Sequence, residues 1–182
     1  MSVSWLGRWL AMLCVVLGVL QGCESVAPSP GGLTPERFFL EARMALKSEA
    51  GAGRGQLSWR QEGEAFRVTA FGPFGAGLVV LEGDAQGATL LREGTVQSAS
   101  PDELLATWLQ APPPFAALPH WLLGRPAPAL GPAGRRGADG FEQGGWRIGV
   151  RRGDDGLPSL LTLERGVTSL RLAIFTWEAP TP

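Results

Sequence analysis

The segment GQLSWRQEGEAFRV, residues 55–68, decides the fold. It holds the strand run 56–60 and the beginning of a second, 65–71, with the turn residues Glu62-Gly63-Glu64 between them. Apolar and polar residues alternating with period two, broken by turn residues, describe half-buried strands joined as a hairpin. The same signal extends outward in both directions. Upstream, Ala42, Met44 and Leu46 face one way, with Arg43 and Lys47 on the other side. Downstream it recurs at 78–81 and 88–91, then at 146–150, 159–164 and 167–177. Turn residues at these intervals predict an antiparallel meander.

Helical signals interrupt the strands. Thr34-Pro35-Glu36 predicts an N-cap, a proline at N1 and an acidic first turn of a short helix. Ser100-Pro101-Asp102-Glu103 is a capping box, and Leu104, Leu105, Trp108 and Leu109 make one apolar face after it. The run Ala111-Pro112-Pro113-Pro114 ends that helix. A second short apolar helix is expected over 115–123, kinked or started by Pro119 and stopped at Gly124. The Pro-, Gly- and Arg-rich stretch 125–140 reads as loop. Strands flanking a central pair of helices make the class α+β. Leu170, Leu172 and Ile174 alternate with Ala173, Phe175 and Trp177, so this strand is apolar on both faces. A curved sheet with a helical plug around a cavity explains that, and so does a filled core without a cavity.

At the amino end, Arg8 precedes an apolar run, 9–20, and then Gln21-Gly22-Cys23. A short cationic region, an apolar region too short to span a bilayer and a small residue before the cut describe a secretory signal. The residues LQGC, 20–23, resemble the lipobox of bacterial lipoprotein precursors. That resemblance implies cleavage after Gly22 and acylation of Cys23, which would remove Cys14 and leave Cys23 as the sole cysteine of the two. No internal disulfide is then possible. Glu24 to Gly32, ESVAPSPGG, reads as a flexible tether, so the expected division is signal peptide 1–22, lipidated cysteine and tether 23–33, and one domain over 34–182. The net charge of −1 suggests neither nucleic acid nor a polybasic membrane patch.

The composition speaks against catalysis. There is one histidine, His120, and there is no tyrosine. A zinc site needs three or four ligands, which His and Cys cannot supply here. No serine stands in a nucleophile-elbow pattern. His120 beside Trp121 reads as structural, Asp154-Asp155-Gly156 as a β-turn, and Asp102 and Glu103 as parts of a helix cap. Neither a catalytic residue nor a metal site is expected.

Taken in order, LQGC at 20–23, the hairpin with Trp59, GPFGAG at 72–77, SPDELLATWL at 100–109, PPPFAALPHWLLGRP at 112–126, GGW at 144–146 and a last strand ending in Trp177 resemble the LolB family of outer-membrane lipoproteins. The resemblance implies an open antiparallel half-barrel whose concave apolar face is lidded by short helices. It implies diacylglyceryl and N-acyl lipid on Cys23, with no other cofactor. Glu24 after that cysteine, rather than Asp, points to the outer membrane and its periplasmic face. The family receives lipoproteins from the soluble periplasmic carrier LolA, holds their acyl chains and inserts them into the outer membrane, and a monomer is expected. A scaffold lipoprotein of the same fold, with a filled concavity and no transfer activity, is the alternative.

Within that frame Trp59, Phe66, Leu104, Trp121 and Leu122 are the candidates for the cavity lining or lid. The tryptophans otherwise read as core. In Gly72-Pro73-Phe74-Gly75, Pro73 and Gly75 suit the first and third places of a three-residue hairpin loop, which holds Phe74 at the tip. Either Phe74 is a wedge into lipid or acyl chains, or the loop folds back and Phe74 joins the core. The chain departs from the family pattern in three places: the family's tip residue is commonly Leu, no family match is identified for the loop with Arg135 and Arg136, and the strand content after Leu130 reads as short.

Overall fold

The computed structural model describes residues 32–49, 51–72, 77–107, 109, 111–137 and 139–179. Pro73, Phe74 and Gly75, Trp108, and Cys23 with its tether up to residue 31 lie outside the described residues. The long hairpin is β1 (Arg37–Ser48) and β2 (Gly51–Glu62), and the meander continues through β3 (Ala65–Phe71), β4 (Val79–Gly83), β5 (Ala88–Arg92) and β6 (Thr95–Ala99). After the helical stretch come β7 (Gly134–Arg135), β8 (Gly140–Gln143), β9 (Trp146–Arg152), β10 (Pro158–Arg165) and β11 (Thr168–Glu178). These form one antiparallel sheet of 11 strands in the order β6-β5-β4-β3-β2-β1-β11-β10-β9-β8-β7. β1 and β11 join the two halves, and β6 and β7 are the edges, so the sheet is open.

Two helices cover the inner face. α1 (Pro101–Ala106) starts at the expected capping box: Glu103 N donates to Ser100 Oγ at 3.3 Å and Ser100 N to Glu103 Oε2 at 3.0 Å. Ser100 Oγ also donates to Glu103 Oε2 at 2.7 Å, and this bond, with the one from Ser100 N, lowers the pKa of Glu103. A 3-10 turn (Phe115–Ala117) leads into α2 (Leu118–Leu122), and Gly124, at φ 70°, stops it as expected. Ser100→Ala is expected to lower stability by about 1 kcal/mol, the usual worth of an N-cap. Thermal denaturation reads it directly, and an unchanged melting temperature would mean that α1 is held by packing alone.

The core is one cluster from Leu33 to Ile174, with Phe38, Leu40, Trp121 and Leu161 fully buried. Phe115 ties helix to sheet, stacking on Trp59 at 5.3 Å and meeting Phe66 at 4.4 Å between ring centres. Trp59, Trp121 and Trp146 are core, as read from the sequence.

Several expectations are corrected. Thr34-Pro35-Glu36 opens no helix: Thr34 and Arg37 exchange backbone bonds of 3.2 and 3.0 Å, and Gly63 N donates to Glu36 O. The buried alternation of Phe38, Leu40 and Ala42 makes the chain a strand from Arg37 on, and the capping residues become a turn. α1 ends at Ala106, before the expected Leu109, with Thr107 Oγ1 donating to Leu104 O at 2.7 Å. The strand content after Leu130 is not short, because five strands follow it. The stretch read as loop contains a 3-10 turn (Pro128–Leu130) and β7. The Asp154-Asp155-Gly156 turn stands: Gly153 N donates to Leu157 O, and Leu157 N to Asp155 Oδ1.

Candidate functional site

Antiparallel pairing places the ends of β1, β3 and β10 and the starts of β2, β4 and β11 at one end of the sheet. Along the inner face, burial falls toward that end on β1 to β4; β11 is less buried at Leu170 but keeps Thr168 buried at its start. Phe38, Leu40 and Ala42 are buried on β1, but Met44 and Leu46 only in part. Trp59 is buried on β2 and Leu57 half-buried; Phe66 is followed by Val68 and Ala70 on β3, Leu81 is preceded by Val79 on β4, and Ile174 and Leu172 by Leu170 on β11. On β1 to β4 the inner face is therefore most buried away from that end and least buried near it.

Toward that end, the mouth, lies a cavity of ≈ 140 Å³. Met44, Leu57, Val68, Leu81, Leu163 and Leu172 line it from the sheet, and Leu105, Leu109, Phe115, Leu118 and Leu122 from the helical side. Every lining side chain is apolar. β4 and β10 are five strand steps apart, about 24 Å in a flat sheet, so a curved sheet lets both reach one cavity. Gly53 and Gly55 pair with Leu46 and Met44, so β2 presents no side chain to this face near the mouth. Gly55 is required for another reason: a Cβ there would lie 2.3 Å from Phe71 O, where the chain leaving β3 crosses β2.

Trp59 and Leu122 lie on the cavity wall, of the five side chains proposed for lining or lid. Phe66 borders a shallower depression on the other side of Phe115, with His120 and Asp102. Leu104 and Trp121 are buried in the core and are not among the wall residues. Pro73, Phe74 and Gly75 follow β3 in the sequence and lie outside the described residues.

The polar contacts hold the helices over the sheet. Phe115 N donates to Asp102 Oδ1 at 2.7 Å, joining α1 to the next helical segment. Gln143, 3% exposed, holds the other end. Its Oε1 accepts from Trp121 Nε1 at 2.9 Å and Ala127 N at 2.8 Å, and its Nε2 donates to Ala127 O at 2.8 Å and Gly131 O at 2.7 Å. A buried amide satisfied at both ends is a specific anchor. Sequence reasoning missed it, because β8 alternates Phe141, Glu142, Gln143 with a polar residue in the inward place. Gln61 does a similar service for Trp59, whose Nε1 donates to Gln61 Oε1 at 3.0 Å. Burial is the main cause that pushes the pKa of His120 below the usual imidazole value.

The family described as outer membrane lipoprotein LolB matches residues 36–177. The outer-membrane lipoprotein LolB of Halorhodospira halophila is 37% identical, over 97% of this chain and 98% of that protein. Those of Bordetella petrii and Nitrosococcus oceani are 34% and 32% identical, over 95% and 94% of this chain and 92% and 98% of theirs.

Proposed function

The chain belongs to the LolB family of outer-membrane lipoproteins, and from that premise we propose that it takes lipidated proteins from a LolA-like periplasmic carrier, shelters their acyl chains and releases them into the outer membrane. The supporting observation is the all-apolar cavity between sheet and helices, with burial on β1 to β4 falling toward one end. No catalytic step belongs to this role. The reading includes cleavage after Gly22, lipidation of Cys23 and a tether to residue 33, which would hold the monomeric domain against the periplasmic face of the membrane.

A cavity of ≈ 140 Å³ is smaller than the roughly 300–1,000 Å³ of pockets that enclose drug-sized ligands. Loading therefore requires the helical segment to move off the sheet as a lid. The contacts that such a movement must break are the ring contacts of Phe115 with Trp59 and Phe66 at the leading end, and the bonds of Gln143 to Trp121 and Ala127 at the trailing end. Transfer would run on affinity differences. Each buried CH₂ is worth about 0.8 kcal/mol, so a few methylenes gained or lost set its direction.

A form beginning at Ser25 keeps every core residue, since the core cluster starts at Leu33. It is expected to bind a fluorescent fatty-acyl probe with a negative heat-capacity change by calorimetry, as burial of apolar surface requires. Folded protein that takes up no acyl probe would sink the transfer reading and favour the scaffold.

A further inference from the structure

The outer face of the sheet carries a second feature at the same end as the mouth. Arg43, Ala45 and Lys47 of β1 point away from the cavity, opposite Met44 and Leu46. Partners in an antiparallel pair share a face. Ala45 pairs with Arg54 on one side and Arg171 on the other, and Arg43 with Gln56 and Ala173. Two strand spacings separate Arg54 from Arg171 in the backbone, about 10 Å, and Ala45 between them fills little of the gap. The result is a depression of ≈ 730 Å³, lined by Arg43, Arg54 and Arg171 with Ala45 and Ala173 as small residues and Phe71-Gly72 beside them. Lys47, Arg54 and Arg171 border its continuation toward the turn.

These cations are unneutralised. All four are exposed, and among the described residues no carboxylate stands within ion-pair distance of any of them. Arg60, Arg67 and Arg147 of the sheet are paired, with Glu62, Glu82 and Glu164; Arg37, Arg151 and Arg165 have no ion pair among the described residues either, but they do not gather on adjacent strands as Arg43, Arg54 and Arg171 do. Further down this face of β1, Glu41 accepts from Thr176 Oγ1 at 3.1 Å. The upper halves of β1, β2 and β11 hold no acid, and Glu49 sits at the hairpin tip. Around the same end, large apolar side chains are left in water, with Leu78 48% and Val167 55% exposed. Apolar turn tips with unpaired guanidiniums a few residues behind them match the layering of a bilayer surface, hydrocarbon first and phosphate next.

We infer that Arg43, Arg54 and Arg171 form a binding surface for the phosphate groups of anionic phospholipids, which docks this end of the domain on the membrane with the cavity mouth toward it. Guanidinium forks suit phosphate oxygens, and the small residues leave room for a headgroup rather than another side chain. The inference rests on the reading that the protein works at a membrane, and it adds the chemistry and orientation of the contact.

The test is co-sedimentation of the Ser25–Pro182 form with phosphatidylcholine vesicles, pure or containing phosphatidylglycerol. Wild type is expected to prefer the anionic vesicles, and salt to erase the preference. A basic side chain near an anionic surface is worth roughly fivefold in binding, so Arg54→Gln with Arg171→Gln is expected to weaken anionic-vesicle binding about 30-fold. Arg60→Gln with Arg67→Gln, on the same face but already paired with acids, is expected to bind as wild type. Circular dichroism verifies folding, and Arg54→Lys with Arg171→Lys, which keeps the charge, should retain most of the binding. Equal binding to both vesicles would overturn the inference, as would an unaffected Gln pair. Binding of inorganic phosphate without any vesicle preference would overturn it too, by showing a free-anion site. Uptake of the acyl probe without vesicle preference leaves the transfer reading intact, so the two failures are distinguishable.

Discussion

Gln143→Leu is expected to lower the melting temperature by about 10 °C, the largest single stability effect foreseen in this domain. The leucine is apolar and of similar volume, so lost packing contributes little. The loss comes from the groups left behind. Trp121 Nε1 and Ala127 N would remain buried without an acceptor, since Trp121 is 0% and Ala127 2% exposed. Each orphaned group costs about 1–3 kcal/mol. The exposed Gly131 carbonyl can turn to water, so the total is about 3–4 kcal/mol. For a domain of this size each kcal/mol shifts the midpoint by about 2–4 °C. Calorimetry measures it, and a midpoint within 2 °C of wild type would mean that the helical segment is held by its apolar contacts alone. The sheet itself should persist to the new midpoint, because Gln143 bonds to the loop and helix rather than to the strands that meet at β1 and β11.

The sequence made legible what alternation and capping encode. β3 falls on its expected bounds, and the Ser100 cap and the Gly124 stop are in place, because each depends on a few neighbouring residues. What escaped depends on distant partners. β6 has four exposed residues out of five, so no buried face imposes a period on its sequence, and it exists because β5 offers an edge. β7 is two exposed residues paired to β8. Thr34-Pro35-Glu36 carried a genuine helix-start signal, but the apolar alternation after it outweighed a cap with no helix to begin. Of the site, Trp59 and Leu122 could be named from sequence, whereas the cavity's membership could not. It gathers one or two residues from each of β1 to β4, β10 and β11 with several from the helical side, and only the strand order brings them together. The outer arginines were hidden for the same reason: Arg43, Arg54 and Arg171 become neighbours through the pairing of β1 with both β2 and β11.

The largest functional effect is expected from Phe74→Glu. Pairing of β3 with β4 ends at Ala70 and Val79, at the mouth end, where Leu78 is exposed, and Phe74 falls between the two strands in the sequence. Pro73 and Gly75 flank Phe74 in the sequence. If Phe74 enters lipid during delivery, an acidic side chain there opposes the step by about 3 kcal/mol at full depth and less near the interface. Delivery of a lipoprotein to vesicles is then expected to slow by roughly tenfold to a hundredfold. Stability should stay within about 0.5 kcal/mol, as for other exposed positions. Uptake of the acyl probe should be unchanged, because the cavity wall at Leu57, Leu118 and Leu172 is untouched. A Phe74 folded into the core gives a different pattern: a carboxylate introduced there would cost several kcal/mol, and uptake and delivery would fail together. A thermal melt, a probe titration and a vesicle-transfer assay on this one variant separate the two. Delivery at the wild-type rate would remove the wedge, and loss of the fold would place Phe74 in the core.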